Sequence, residues 1–532
     1  MPVNETNVRN RAFADMRDWI DWLEENGQLR RVKAEVDWDL EIGGLARAVQ
    51  AVEGPALLFE NIKDHKNTRG RRLMVGGLAS YQRIAAMLGL PMDTPVAEMV
   101  GKCRKLFREQ VRPMVVSTGP VKENIVTGKD VNLYEFPVPK WHHLDGGRYI
   151  DTFAGVVTKD PETGEINVGM YRGMIVGKDR IAKLMVPAQH WGRHFLKYQA
   201  MGKPMPVAIV YGWDDALPFC ACTPIPHREA SEWDIIGAIR GEPVQLVKCE
   251  TVDLEVPASA EIVVEGTMSA DPSTFEMEGP FGEYTGWCEG KASPKPVVQV
   301  QCITHRNDPI LRGSAEGARA GMPNEDTHIF AISLSAVAWN VLDDAGVRGI
   351  TDVWCTPITM GTTTIVQIHK QFRGHAQQVA GALWSSSASN WFYKTIIVVE
   401  EDIDIRSWED IDWALAYRVN AGEPGDLTIF GPTGGSVLDP STRWEDRNPI
   451  LYGTGKWHRV LVDATRNWDF PRREEFGGHT YPPVNKLGRG TEKLISSRWE
   501  EYDLGIPYLT KEQREKLTLE HLIETLPAVG KD

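Results

Sequence analysis

The sequence predicts a multidomain α/β protein (α+β), and three observations support this fold class. First, its 532 residues exceed the roughly 250–300 residues that one hydrophobic core can serve. Second, hydrophobic residues make up 42% and charged residues 25%, as in ordinary globular proteins. Third, the local pattern changes twice along the chain. We therefore predict an N-terminal α/β domain over residues 1–125, a mainly β domain over 126–310 and a C-terminal α/β domain over 311–532.

The N-terminal domain begins with a predicted helix over about residues 11–26. Apolar side chains recur there with helical spacing at Phe13, Met16, Trp19, Ile20 and Leu23. Gly27 follows as the expected stop. Short strands and helices then alternate to about residue 125.

The central domain is predicted to consist of strands joined by turns. Strand-like runs cover residues 151–159, 166–176, 205–211, 244–249, 260–266 and 296–303. Residues 160–164, with the sequence Asp-Pro-Glu-Thr-Gly, predict a hairpin between the first two runs, because proline and glycine favour turn dihedrals.

The C-terminal domain alternates between strand and helix patterns. Residues 394–400 form a β-branched strand pattern, and Ser407 with Asp410 resembles the start of a helix that reaches Val419. Residues 466–490 predict an extended arm, and an amphipathic helix follows near 510–526. Arm and helix are expected to dock either on a partner subunit or on the same chain.

Charge and cysteine content limit the function classes. A net charge of −14 argues against a protein that binds nucleic-acid backbones, although it allows one local basic pocket. The charged N-terminus and the absence of long apolar runs predict a soluble cytoplasmic protein without a membrane segment. The seven cysteines are expected to be reduced thiols, and Cys220 and Cys222 fit a zinc knuckle poorly if they are two apart on a strand.

Common cofactor and nucleophile signatures are missing from the sequence, including G-x-G-x-x-G, the P-loop and G-x-S-x-G. His190 and His194 have the spacing of a helical zinc pair but lack the glutamate of H-E-x-x-H. Candidate chemistry therefore has to come from less common arrangements.

The most unusual segment is Glu278-Gly-Pro-Phe-Gly-Glu283. Its two carboxylates flank a sharp turn, which can aim both into one pocket and raise the pKa of one of them for general acid catalysis. A solvated surface loop is the alternative. Upstream, Arg172 could hold a carboxylate through two hydrogen bonds, or form an ordinary surface ion pair.

A second candidate group contains Asn167, His190 and Glu232. An amide oxygen, an imidazole nitrogen and a carboxylate suit Mn²⁺ or Mg²⁺, particularly when a ligand phosphate completes the coordination. Their sequence positions do not establish that they converge, and a structural role for each is the alternative.

These segments together resemble the UbiD family of reversible decarboxylases. The resemblance runs from the N-terminal helix to at least residue 445. It rests on an ordered set of motifs, of which E-G-P-F-G-E is the most specific. The set comprises Lys140-Trp-His-His-Leu-Asp-Gly-Gly, Asn167 to Arg172, Gln189-His190, Ser231-Glu232, Glu278 to Glu283, and the run from Lys394 to Asp404.

The resemblance implies a central split β-barrel, similar to flavin reductases, that binds prenylated flavin mononucleotide (prenylated FMN). It further implies that Asn167, His190 and Glu232 bind a divalent metal, usually Mn²⁺, which bridges to the flavin phosphate with K⁺ nearby. Lys394 would contact that phosphate, and Gln189 would lie beside the cofactor. Arg172, Glu278 and Glu283 would form the catalytic network.

The implied reaction is reversible, non-oxidative decarboxylation through a covalent adduct with the modified flavin. Loss of CO₂ from an sp² carbon needs an electron sink that side chains do not provide. We expect Arg172 to hold the departing carboxylate and keep Glu278 ionised, while Glu283 protonates the carbon. Asn167 and Arg172, five residues apart, would face opposite sides of a regular strand, so a bulge or bend near Gly169 is expected.

Expected substrates are aromatic or heteroaromatic acids first and α,β-unsaturated acids second, with an aromatic acyl-CoA thioester as a third option. Tyr284 and Phe392 are the predicted pocket residues. Expected partners are the acid, CO₂, a flavin prenyltransferase that supplies the cofactor, and further copies in a homodimer or homohexamer. Two alternatives stay open: a non-catalytic or carboxylating subunit of a multi-component carboxylase, and a metal-dependent phosphate-ester hydrolase.

Overall fold

The structure, a computed structural model, describes residues 12–225, 230–289, 291–317, 324–446 and 455–518. Its helices are α1 Met16–Glu25, α2 Glu41–Gln50, α3 Tyr81–Met87, α4 Val96–Leu106, α5 His190–Ala200, α6 Ala216–Ala221, α7 Glu232–Arg240, α8 Glu325–Asp344, α9 His375–Trp384, α10 Trp408–Arg418, α11 Arg489–Ser497 and α12 Lys511–Leu517. Within the described ranges, none of these helices is both long and apolar enough to cross a bilayer.

The strands fall into three main sheets and three smaller ones. Their bounds are β1 Leu29–Val32, β2 Ala56–Phe59, β3 Arg72–Val75, β4 Met114–Val116, β5 Asn124–Thr127, β6 Gly155–Lys159, β7 Ile166–Gly169, β8 Gly173–Gly177, β9 Arg180–Lys183, β10 Met205–Tyr211, β11 Gln245–Lys248, β12 Glu255–Pro257, β13 Ile262–Met268, β14 Glu276–Glu278, β15 Phe281–Gly282, β16 Cys288–Glu289, β17 Ser293–Lys295, β18 Val297–His305, β19 Ile310–Arg312, β20 Ile350–Cys355, β21 Thr363–Ile368, β22 Thr395–Glu400, β23 Leu427–Gly435 and β24 Gly455–Asp463.

The N-terminal sheet has the order β1-β2-β3-β19. Helix α1 begins where the Asp15 carboxylate accepts the backbone N–H groups of Arg17 and Asp18, and it buries the predicted apolar face. Gly27 has φ of +70°, which confirms it as the stop. Strand β19 follows the central domain in sequence but pairs with β3, so the chain returns to this sheet before α8.

The central sheet has eight strands in the order β7-β6-β10-β13-β18-β9-β8, with β5 paired to β18. The predicted hairpin is confirmed by the antiparallel pairing of β6 with β7. The run predicted as one strand over 166–176 is two strands at opposite edges, joined by residues 170–172 only. Four Cα–Cα steps span at most about 14 Å, so the two edges must curl toward each other.

This curl brings the central sheet into the form of a barrel. The barrel is open, because no β7–β8 ladder joins its two edge strands in the described part of the chain. It also explains the predicted bend near Gly169: the chain leaves β7 at that residue before it reaches Arg172. The side chains of Asn167 and Arg172 therefore do not follow the alternation of a single strand.

The C-terminal sheet has the order β20-β21-β22-β24-β23. The 20-residue helix α8 is buried along most of its length, and its Ile332 and Leu334 belong to the core that includes Val366 and Val398. The Ser407 hydroxyl accepts the Asp410 N–H, which confirms the predicted start of α10.

Cys220 and Cys222 lie at the end of helix α6, so their placement on a strand was wrong. None of the seven cysteines forms a disulfide in the described part of the chain. The arm over 466–490 is largely exposed and forms no named strand. Of the predicted last helix, Lys511–Leu517 is α12, and 519–526 lies outside the described residues.

Candidate active site

The turn between Glu278 and Glu283 is held by the motif near residue 140. Gly279 has φ of +96°, and the Pro280 carbonyl accepts the Gly146 N–H at 2.8 Å. One carboxylate oxygen of Asp145 accepts the Gly282 N–H at 2.9 Å. Contacts from a segment about 135 residues earlier in the chain therefore fix the turn, and it is not a solvated surface loop.

Arg172 joins the two carboxylates that flank this turn. Its Nε and one terminal nitrogen each donate to Glu278 at 2.9 Å, and the other terminal nitrogen donates to Glu283. The Tyr149 hydroxyl also donates to Glu278, at 2.8 Å. The glutamate side chains are 0% and 4% exposed and that of Arg172 is 10% exposed, so this is a buried charge network rather than a surface ion pair.

The network fixes the charge of its arginine. Burial opposes the guanidinium charge, but the neighbouring Glu278 and Glu283 carboxylates outweigh it and raise the pKa of Arg172 well above its usual value. Burial, and next the Glu278 charge, also raise the pKa of Tyr149, so that its hydroxyl remains a donor. The two carboxylates therefore favour the cationic form of Arg172.

A second buried group positions the 170–172 connector. Lys183, 0% exposed, donates to the Asp151 carboxylate and to the Tyr171 carbonyl, both at 2.6 Å. The Tyr211 hydroxyl donates to the other Asp151 oxygen. This group anchors the backbone immediately before Arg172, and Asp151 also contributes to the cavity described next.

One cavity, with a free volume of about 220 Å³, contains most of the predicted site residues. Those that line it are Asn167, Arg172, Gln189, His190, Glu232, Glu283, Tyr284 and Phe392. Glu278 lies behind Arg172, outside the lining. Lys394 is also outside: its ammonium group donates to Asp439 and Ser441 at 2.6 Å each. The phosphate contact of Lys394 therefore stays a prediction.

The candidate metal ligands converge around β7. Asn167 lies on β7, and the carboxylate of Glu232, the first residue of α7, accepts the Val168 N–H at 2.8 Å. His190 begins α5, where the ring of its neighbour Trp191 stacks on Tyr171 with centroids 4.2 Å apart. Among the described residues, no group of three His, Cys, Asp or Glu side chains is placed to hold a metal. The predicted set contains only two such residues and relies on Asn167 for its third ligand.

Aromatic side chains line one side of the cavity, beginning directly after the turn between Glu278 and Glu283. The rings of Tyr284, Phe330 and Phe392 follow one another with centroid distances of 6.2 and 5.7 Å. The Tyr284 hydroxyl and the Ser436 hydroxyl lie 3.2 Å apart, which links the turn to the C-terminal domain. These rings, tilted by 49° and 48° to one another, give this side of the cavity an aromatic, apolar lining.

The lining residues that the sequence did not predict include Arg193, Glu316 and Asp326. Arg193 lies one helical turn after His190 on α5, a spacing that could have identified it. Glu316 and Asp326 bring two further acids to the cavity. Burial, followed by the charges of neighbouring carboxylates, raises the pKa of Asp326 to about 7 and that of Glu316 well above its usual value. No local motif identifies these two acids, because only the tertiary fold brings them together.

Family profiles match most of the chain. The 3-octaprenyl-4-hydroxybenzoate carboxy-lyase N-terminal domain matches residues 20–103, the Rift-related domain 114–319 and the C-terminal domain 327–464. The chain belongs to the UbiD family. The domain boundaries predicted from sequence, at 125/126 and 310/311, remain predictions beside these ranges.

Two characterised UbiD relatives extend over almost the whole chain. It is 33% identical to the pyrrole-2-carboxylic acid decarboxylase of Pseudomonas aeruginosa, over 93% of this chain and 99% of that protein. It is 32% identical to the phenolic acid decarboxylase of Bacillus subtilis, over 92% and 98%. An evolved dimeric form of the UbiD-class enzyme HmfF from Pelotomaculum thermopropionicum, solved with prFMN, superposes with a TM-score of 0.71 at 30% identity, over 86% and 96%. This UbiD chain is a carboxy-lyase with a mixed α/β fold.

Proposed function

We propose that this UbiD protein catalyses reversible, non-oxidative decarboxylation of an aromatic or heteroaromatic carboxylic acid with the help of prenylated FMN. The observation that carries this proposal is that Arg172 and Glu283 face the same cavity as Asn167, His190 and Glu232. The substrates named for the two relatives, a phenolic acid and a pyrrole acid, support the substrate class.

The chemistry of the side chains fits the cofactor. An amide oxygen, an imidazole and a carboxylate form a mixed set that suits Mn²⁺ bound to a phosphate, and Asn167, His190 and Glu232 would hold it. Arg193 and the N-terminal turn of α5 supply positive charge beside them, which suits the flavin phosphate. Lys394 and a K⁺ ion are further proposed contributors. When bound, prenylated FMN supplies the electron sink that side chains lack.

Arg172 is proposed to orient the substrate carboxylate. A guanidinium has five N–H donors, and Arg172 uses three of them on Glu278 and Glu283 in the described part of the chain, so 5 − 3 = 2 remain. Glu278, with Tyr149, fixes the plane of the guanidinium from behind. An incoming carboxylate can thus be held by Arg172 without breaking the Arg172–Glu278 pair.

Glu283 is proposed to carry the proton. Decarboxylation replaces a C–C bond with a C–H bond, and Glu283 is the member of the network that both lines the cavity and pairs with Arg172. When the acid arrives at Arg172, its carboxylate takes over part of that pairing, and Glu283 can accept a proton from solvent. After CO₂ leaves, the Glu283 O–H protonates the carbon; in the reverse direction the Glu283 carboxylate removes that proton.

Two further parts of the proposal concern partners. A flavin prenyltransferase would supply the cofactor, and the C-terminal arm would serve in a homodimer or homohexamer. Exposed apolar side chains along that arm, such as Trp468 and Val484 at 37% and 40%, support a partner subunit over packing on the same chain.

The test is the identity of the bound cofactor together with CO₂ release. Protein produced with a flavin prenyltransferase is expected to show flavin absorbance, the mass of prenylated FMN and one divalent metal per chain. His190→Ala should lose the metal and retain the fold by circular dichroism. A panel of pyrrole, furan, phenolic and cinnamic carboxylic acids, together with the mono-CoA thioester of an aromatic dicarboxylic acid, is then assayed for CO₂ release. Protein that binds no flavin under these conditions, or releases no CO₂ from any acid when flavin is bound, contradicts the proposal.

A further inference from the structure

A buried lysine lies behind the network of Arg172 and its two glutamates. In the antiparallel pair of β14 and β17, Lys295 stands opposite Glu276, and Ser293 stands opposite Glu278. Opposite residues of such a pair share one face, as do residues two apart along a strand, so Lys295 is on the face of Glu278. Lys295 is 5% exposed and is outside the cavity lining in the described part of the chain. It can therefore act on the network without touching a ligand.

The surroundings of Lys295 place its charge beside Glu278. The Lys295 ammonium group donates to the Ser293 hydroxyl at 2.7 Å, which holds it over the strand pair. Burial lowers the pKa of Lys295 to about 8, while the Glu278 carboxylate acts in the opposite direction and the Arg172 guanidinium lowers it further. Lys295 therefore interacts electrostatically with both partners of the Arg172–Glu278 pair.

The other charged groups around this strand pair have partners of their own. Glu276, opposite Lys295, pairs with Arg180. Lys183, whose backbone N–H donates to the carbonyl of residue 296 at 2.9 Å, pairs with Asp151 at 2.6 Å. Glu278 is thus the carboxylate on which the charge of Lys295 acts.

A second cation beside Glu278 matters because Arg172 has several carboxylates to serve. Arg172 pairs with Glu278 and Glu283, and it is proposed to hold the substrate carboxylate as well. Glu278 is a 0% exposed carboxylate that accepts from Arg172 and from the Tyr149 hydroxyl. A buried carboxylate lowers the positive potential of the guanidinium that it binds. A cation on the same carboxylate offsets its charge, so that Arg172 attracts an incoming anion more strongly.

We propose that Lys295 is a positioning residue whose ammonium charge offsets that of Glu278 and thereby strengthens the binding of the substrate carboxylate by Arg172. This inference rests on the proposed function and deepens it, because it assigns a charge that controls acid binding from outside the cavity. The ammonium form of Lys295 is lost as the pH rises through about 8. The affinity for the acid should fall over the same range.

The test measures acid binding to the cofactor-loaded protein by isothermal titration calorimetry from pH 7 to pH 9.5, with pyrrole-2-carboxylate and 4-hydroxybenzoate as probes. Lys295→Met should bind acid about 10-fold more weakly than the wild type at pH 7, and about equally at pH 9.5, where the wild-type amine is neutral. Other titrating groups affect both proteins alike, so the readout is the ratio of their dissociation constants. Lys295→Arg stays charged and should keep its pH 7 affinity advantage over the methionine variant at pH 9.5. For a turned-over acid, kcat should change less than the affinity.

The control is Lys129→Met, which removes an exposed lysine directly after β5 and should match the wild type at each pH. Equal affinities of Lys295→Met and the wild type at pH 7 overturn the inference. So does a ratio that stays constant with pH, which is the result of losing a purely structural contact. If the methionine variant does not fold, the arginine variant decides, and an affinity that falls with pH as in the wild type overturns the inference. Wild-type protein that binds neither probe contradicts both proposals, whereas pH-dependent binding without CO₂ release from any acid refutes the proposed function alone.

Discussion

Replacement of Lys183 tests how the connector before Arg172 is held. Lys183→Met removes the cation that pairs with Asp151 and the donor to the Tyr171 carbonyl. The Asp151 carboxylate, which is 1% exposed, then keeps only the Tyr211 hydroxyl as a donor among the described residues. Loss of one partner from a buried ion pair costs about 3–5 kcal/mol. For a domain of this size that corresponds to a decrease in the unfolding midpoint on the order of 10 °C.

The assay is thermal unfolding by circular dichroism, with CO₂ release measured at a temperature at which the variant stays folded. Misplacement of Arg172 by about 1 Å would lower kcat by about 100-fold. The matched control is Lys197→Met. The Lys197 side chain is 32% exposed, and its buried partner Asp160 keeps the backbone N–H groups of Glu162 and Thr163 as donors, so stability should change by about 1 kcal/mol or less. The double variant Lys183→Met with Asp151→Asn should recover stability. The reasoning is refuted if Lys183→Met and Lys197→Met unfold at the same temperature.

Two further changes test the turn between Glu278 and Glu283 and the carboxyl group of Asp326. A Cβ at Gly146 would lie 2.1 Å from the Gly279 carbonyl oxygen, so Gly146→Ala should displace the turn between Glu278 and Glu283 and lower kcat/KM by at least about 100-fold. The control Gly44→Ala, with open space around its Cβ, should match wild-type kinetics. Equal kinetics for the two variants would contradict this geometry. Because the pKa of Asp326 is raised from 3.8 to about 7, the folded state binds a proton that the unfolded state lacks between pH 4 and 7, and stability is lost as pH rises through that window. Asp326→Asn should therefore be more stable than wild type at pH 8 by a few kcal/mol and equal to it near pH 4 in urea unfolding; a constant difference across pH would argue against the raised pKa.

Much of the site could be predicted from the sequence because its residues lie in short motifs. The pair of glutamates around a Gly-Pro-Phe-Gly turn predicts convergence from local geometry alone, and Arg172 indeed joins them. The strand and helix periods also predicted α1, the β6–β7 hairpin and α10. These elements depend on local capping, turn chemistry and apolar spacing, which the sequence encodes directly.

The remainder depends on how distant segments meet. The run over 166–176 has the composition of one strand, and only the curl of the central sheet reveals it as two edges with a connector. Asp326 is one of several polar residues on α8, with Ser333 and Asn340 among the others, so its position at the cavity has no local signature. The sequence allowed one local basic pocket but gave no sign of two acids within it. Tertiary packing brings the carboxyl groups of Glu316 and Asp326 into the same cavity as Arg172.

The central claim is that Glu283 delivers the proton that replaces the carboxyl group. The most direct measurement is mass spectrometry of the product formed in D₂O by the cofactor-loaded protein, together with exchange of deuterium into added product. We expect the wild type to place one deuterium at the carbon that lost CO₂, and Glu283→Gln to bind cofactor normally but lose release and exchange by at least about 100-fold. A Glu283→Gln variant that exchanges deuterium at the wild-type rate would contradict the account.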